Sequence, residues 1–190
     1  MKISCCDTSY GMEYLHSQNI IHKDLAAKNL LVKLNPERDV VKVADFVRNS
    51  NSNVHFYFES IVYYSYILII FKKIKGLSSE INFSTTSDII SIRWSAPELL
   101  NGQKPSFKTD VFAFAITAHE IFNQGRLPYW ELKSVEVQHF VKSGNRMTIS
   151  DKLPKEIRKL IKQCWDQDPE RRPNFGAISK TVTEAYDSAN

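Results

Sequence analysis

The sequence predicts an α+β fold that is mainly helical, with one small β-hairpin near its start, and three observations carry the prediction. Between Thr109 and Asn123, residues Val111, Phe114, Ala115, Ala118, Ile121 and Phe122 make an almost all-round apolar surface, as a buried central helix would. Ile157, Leu160, Ile161, Cys164 and Trp165 recur at helical spacing behind Pro154. Early in the chain, Leu30-Leu31-Val32 and Val40-Val41-Lys42-Val43 are β-rich runs separated by the turn-rich Asn35-Pro36-Glu37-Arg38-Asp39.

In chain order, a first helix is expected from about Ser9 to Gln18, with Met12, Leu15 and Tyr14 on its apolar face and an end before Asn19. The hairpin follows and should bring Asn29 close to Asp45. After the central helix, Ser134 to Ser143 reads as a shorter amphipathic helix closed by Gly144. Pro154 fits a first helical position, and Asn174 fits the cap of a last helix presenting Phe175, Ile178 and Val182.

A chain of 190 residues is long enough to bury one core, so one domain is expected. The net charge is +4, and the 25 basic residues are scattered among 21 acidic ones, so no basic stripe points to nucleic acid. Three cysteines, Cys5, Cys6 and Cys164, make neither a disulfide framework nor a metal spacing, which suits a reducing, cytoplasmic compartment or the cytoplasmic part of a receptor. The amino terminus is too short in apolar character before Asp7 for a signal peptide. Ile61 to Phe71 is uncharged, but a membrane span needs about twenty apolar residues, and Glu59 and His55 stop any extension.

The segment His22-Lys23-Asp24-Leu25-Ala26-Ala27-Lys28-Asn29, with Asp45-Phe46 beyond the hairpin, states a chemistry. Phosphoryl transfer needs an acceptor for the attacking hydroxyl's proton, oxygen ligands for magnesium and cations for the phosphates. In H-x-D-x-x-x-x-N the Asp faces the hydroxyl and the Asn reaches a metal; Asp24 and Asn29 fit, and Asp45 fits a second magnesium ligand. Read locally, Asp24 is also a loop-capping aspartate, Asn29 an Asx-turn residue and Lys28 a solvated lysine.

From Gly11 onward the chain resembles the C-terminal lobe of a protein kinase of the tyrosine branch. The resemblance rests on Gly11-Met12-Glu13-Tyr14-Leu15-His16, His22-Lys23-Asp24, Arg93-Trp94-Ser95-Ala96-Pro97-Glu98, Asp110-Val111-Phe112, Gly125-Arg126-Leu127-Pro128-Tyr129, Cys164-Trp165 and Asp168-Pro169-Glu170-Arg171-Arg172-Pro173, all in the family's order. It implies ATP and Mg2+ as cofactors and a protein substrate carrying tyrosine. Asp24 would be the catalytic base, and Lys28 would stand beside the reacting hydroxyl where the family has arginine. Asn29 and Asp45 would hold metal and nucleotide, with Leu31 as the apolar floor under adenine. His22 is expected to pack and hydrogen-bond near Phe46, Glu98 to pair with Arg172, and Asp110 to accept backbone hydrogens of the catalytic loop. Cys164-Trp165 reads as core.

The chain also departs from the family. Lys23 replaces an arginine and offers a point charge without a bidentate fork, which weakens control by loop phosphorylation. Val47 follows Asp45-Phe46 where glycine is usual, Ser91 replaces a proline, and Phe112 and Ala115 replace a tryptophan and a glycine. Residues from about 48 to 86, with Tyr57, Tyr63, Tyr64 and Tyr66, read as an insertion in the activation segment, and their Phe/Ile/Tyr/Lys/Asn bias suggests translated intron. No Gly-rich phosphate loop, strand lysine or helix glutamate can be placed before His22, so the chain reads as a large lobe whose small lobe is missing and which alone is not expected to transfer phosphate. The alternative expectation is a pseudokinase or kinase-fold binding module.

Overall fold

The computed structural model describes residues 2–34, 36–46 and 92–187. The expected 48–86 insertion and its four tyrosines, as well as Val47 and Ser91, lie outside the described residues.

Helix α1 spans Lys2–Ser17, two turns longer at its start than Ser9. The early turns carry little apolar signal because small polar residues build them: Thr8 Oγ1 donates to Ser4 O at 2.5 Å and Ser9 Oγ to Cys6 O at 2.7 Å. Cys5, Thr8, Ser9, Met12 and Leu15 form the buried face. Tyr14, expected on it, is 49% exposed, since its position lies two helical steps from Met12 and turns outward. The helix ends at a left-handed residue, Asn19 with φ 56°, and Ile20 N–H then donates back to Leu15 O at 2.9 Å.

The chain next runs through a short 3-10 turn, Ala27–Asn29, into the antiparallel strands β1 (Leu30–Lys33) and β2 (Val40–Val43). Leu30 stands opposite Val43 and Lys33 opposite Val40, the hairpin expected from sequence. α1 packs closely on β2: a Cβ on Gly11 would lie 2.9 Å from Val43 Cγ2, so only glycine allows this approach.

A 3-10 turn, Ile92–Trp94, leads to the one-turn helix α2 (Pro97–Leu100), which periodicity does not reveal. The central helix α3 spans Phe107–Phe122 and is buried continuously from Thr109 to Ala118. Its start is set by a capping box: Ser106 Oγ accepts from Thr109 N–H at 3.3 Å and Thr109 Oγ1 from Ser106 N–H at 3.0 Å. Helices α4 (Ser134–Lys142), α5 (Lys155–Cys164) and α6 (Phe175–Asp187) follow. Pro154 precedes α5 as its cap residue, one position earlier than expected. Asn174 caps α6, its Oδ1 accepting from Ala177 N–H at 2.9 Å.

Around α3 lies one core, with α1 and α6 packed on each other and α5 packed on both α3 and α6. Phe112, Ile116, Ile161 and Ile178 are fully buried, each such side chain contributing about 1.5–3 kcal/mol. The Arg146 and Arg172 guanidiniums lie 5.0 and 5.1 Å from the Phe112 ring, so the phenylalanine still serves as an aromatic platform. Among the described residues no helix is long and apolar enough to cross a membrane.

Candidate active site

The loop between α1 and β1 is suspended from α3. In the first turn of that helix Asp110, 1% exposed, accepts His22 N–H on Oδ2 at 2.7 Å and Lys23 N–H on Oδ1 at 2.9 Å. His16 Nε2 donates to the same Oδ2 at 3.0 Å. These bonds hold Lys23 at φ 74°, a left-handed conformation that a lysine rarely adopts. Asp110→Ala should therefore destabilise the fold by about 1–3 kcal/mol for the orphaned His22 N–H alone, and amide exchange at His22 and Lys23 should accelerate together.

His22 is buried. Its Nε2 donates to Ala44 O at 3.0 Å and its Nδ1 accepts from Asp24 N–H at 3.3 Å, with the Phe46 ring 6.2 Å away. Both bonds are those of a neutral imidazole, and burial lowers its pKa below the ordinary 6.5 despite Asp110 nearby. His119 is lowered likewise by burial. Between their folded values and 6.5 the unfolded chain binds protons that the folded chain does not, so stability rises with pH there and is lost as pH falls. Urea midpoints should drop as acid is added below 6.5, with a shallower slope in His22→Gln.

Asp24, Lys28 and Asn29 come together. Lys28 Nζ lies 2.8 Å from Asp24 Oδ2. Asn29 Nδ2 donates to Asp24 O at 2.7 Å and to Asp24 Oδ2 at 3.1 Å. With both amide hydrogens directed at Asp24, the carbonyl oxygen is the acceptor end of the Asn29 side chain. Asp45 joins them through the backbone: Ala44 N–H donates to Asn29 O at 2.9 Å, and the next residue turns out at φ 60° with an exposed side chain. Leu31 is half-buried, on the strand face opposite the buried Leu30.

Two supports escaped sequence reasoning. Glu120 Oε2 accepts from Ala27 N–H and from Trp94 Nε1–H, each at 3.2 Å, tying the loop to the segment before α2. Its signal was an acid inside an apolar helix. Arg93, 8% exposed, donates to Pro128 O and Tyr129 O at 2.8 Å and to Leu132 O at 2.7 Å. Nothing in its neighbours announces three carbonyl partners more than thirty residues away. Glu98 and Arg172 form the expected buried pair, with bonds of 2.6 and 2.9 Å.

The donor set suits magnesium. Asn29 and Asp45 offer hard oxygens, and among the described residues no three His, Cys, Asp or Glu side chains gather as a metal cage.

A family model described as protein tyrosine and serine/threonine kinase matches residues 2–54 and 73–182. The tyrosine-protein kinase Fer of Homo sapiens is 34% identical over 177 residues, covering 93% of this chain and 18% of Fer. The transforming protein Fps of avian sarcoma virus (strain PRCII), a tyrosine-protein kinase, is 33% identical over 172 residues, 90% of this chain and 27% of its own. The megakaryocyte-associated tyrosine-protein kinase of Rattus norvegicus is 34% identical over 169 residues, 88% of this chain and 29% of its own. The chain thus spans between 18% and 29% of the length of these relatives.

Proposed function

The chain belongs to the protein kinase family, with tyrosine kinases among its relatives, and from that premise we propose that it is the large lobe of a catalytic domain transferring the ATP γ-phosphate to protein tyrosine. The observation that carries the reading is the Asp24 carboxylate, held on a loop suspended from Asp110, with Lys28 Nζ at 2.8 Å and Asn29 Nδ2 at 3.1 Å. Asp24 orients the tyrosine hydroxyl and accepts its proton as the oxygen attacks. Lys28 steers the hydroxyl and balances developing negative charge. Asn29 and Asp45 would hold magnesium through their oxygens, and Leu31 would form the apolar floor for the adenine. When bound, magnesium would supply positive charge to offset that on the phosphates. We place the reaction in the cytoplasm, on a protein substrate.

The uncovered stretch 55–72 in the family match supports reading an extra segment within the activation region. Transcripts spliced across it would mark it as retained intron, and reads running unspliced through it in most messages would overturn that reading.

These 190 residues contain no Gly-rich phosphate loop, so the chain alone should transfer no measurable phosphate to a poly-Glu/Tyr substrate. The same chain preceded by the ATP-binding lobe of a tyrosine kinase should do so at about 1–100 per second. It should also gain thermal stability with Mg-ATP, since a ligand that binds only the folded state stabilises it. Ordinary turnover by the isolated chain would refute the first expectation. Absence of both transfer and thermal shift in the joined protein would replace the enzyme by a binding module.

A further inference from the structure

Away from the loop, α1, α3 and the start of α6 enclose a half-open cavity of about 270 Å³. The Phe107 and Phe175 rings form two walls, their centroids 4.5 and 4.8 Å from the His16 ring between them, and Val111 and Pro173 complete the apolar lining. The polar groups at the rim are engaged within the protein. Lys108 Nζ donates to Arg172 O at 2.6 Å, Asn174 Oδ1 caps α6, and Glu13 Oε2 accepts from Ser179 Oγ. Glu13 Oε1 lies beside Gly176, 3.2 Å from where a Cβ would stand, and Glu13 and Gly176 both line the cavity.

From this lining we propose that the cavity binds a neutral bicyclic heteroaromatic molecule with one ring N–H, of the indole class. An apolar cavity of about 150 Å³ accepts benzene, so 270 Å³ has room for two fused rings. The three rings of His16, Phe107 and Phe175 in the lining favour an aromatic occupant, and the Glu13 carboxylate in the same lining would take its N–H. The ligand would bear on the catalytic loop by a short route. It touches the His16 ring, His16 bonds Asp110 Oδ2, and the same carboxylate holds the His22 and Lys23 amides. The catalytic weight of that route rests on the kinase reading above, whereas binding does not, so the test needs neither nucleotide nor turnover.

The experiment is titration of the 190-residue chain with indole, followed by NMR at the His16 ring protons and the His22 and Lys23 amides. Saturable shifts at all three should follow one curve with a dissociation constant on the order of 1 mM or tighter. Gly176→Leu, whose Cβ would stand 3.2 Å from Glu13 Oε1 and so crowd that carboxylate and the lining beside it, and Phe107→Ala, which removes a partly exposed wall, should each weaken binding about tenfold or more. N-methylindole should also bind more weakly. Shifts that never saturate, or an affinity in both variants equal to that of the parent chain, overturn the site. N-methylindole binding as tightly as indole overturns the Glu13 contact, and saturation that leaves the two amides unmoved overturns the link to the loop. Should Gly176→Leu fail to fold, Phe107→Ala decides.

Discussion

Glu98→Ala is expected to lower the unfolding free energy by about 3–5 kcal/mol, because it strands a buried guanidinium. Arg172 has a side chain 0% exposed, and besides its two bonds to Glu98 it donates to Asp166 O at 2.9 Å and Lys108 O at 3.0 Å. Those carbonyls belong to the loop after α5 and to the first turn of α3, so one charge joins α2, α3 and the approach to α6. Domains have only about 5–15 kcal/mol in total, so the variant should be largely unfolded in modest urea. The double variant Glu98→Leu with Arg172→Met should recover much of the loss, since an apolar replacement leaves no buried charge behind. Urea unfolding followed by tryptophan fluorescence reads both. Trp165 is buried and precedes Asp166, whose carbonyl Arg172 bonds, and a single variant as stable as the parent would show that the pair holds nothing together.

This pair also shows what could be read in advance. Glu98 and Arg172 are 74 positions apart, and no local pattern joins them; they were paired because the chain resembles a family in which those positions meet. Local rules served the elements with strong periodicity. Helix α3 is buried nearly all round, and α5 buries Ile157, Leu160, Ile161 and Cys164 with charged residues between, so both stood out. The first two turns of α1 did not, since hydroxyls of Thr8 and Ser9 fold back on the helix backbone and replace the apolar signal. Tyr14 was misplaced for a related reason: an aromatic side chain counts as apolar in a pattern, whatever face the helical step gives it. Within the site, spacing grouped Asp24 and Asn29, because they share one tight loop, and the family resemblance added Lys28. Glu120 and Arg93 escaped, since each acts on groups brought near only by the packing of α3 and its following loop.

Asp24→Asn should reduce phosphate transfer by about 10²–10⁴-fold in the chain joined to an ATP-binding lobe, with the KM for ATP nearly unchanged. The substitution keeps the side-chain volume and an oxygen for Asn29 Nδ2, but removes the proton acceptor and the negative charge that Lys28 faces at 2.8 Å. A structural role would behave differently. If Asp24 served only to cap the loop, asparagine would cap it as well, and transfer would fall little. Lys28→Ala separates the two residues further. It should leave the Asp24 acceptor in place and lower transfer by less than Asp24→Asn, while Lys28→Arg should restore activity if a cation beside the hydroxyl is what matters. Rescue by arginine together with near-complete loss in Asp24→Asn would assign steering to one side chain and proton acceptance to the other. Equal losses in all three variants would mean that the loop geometry was disturbed, because Arg keeps the charge and Asn keeps the shape.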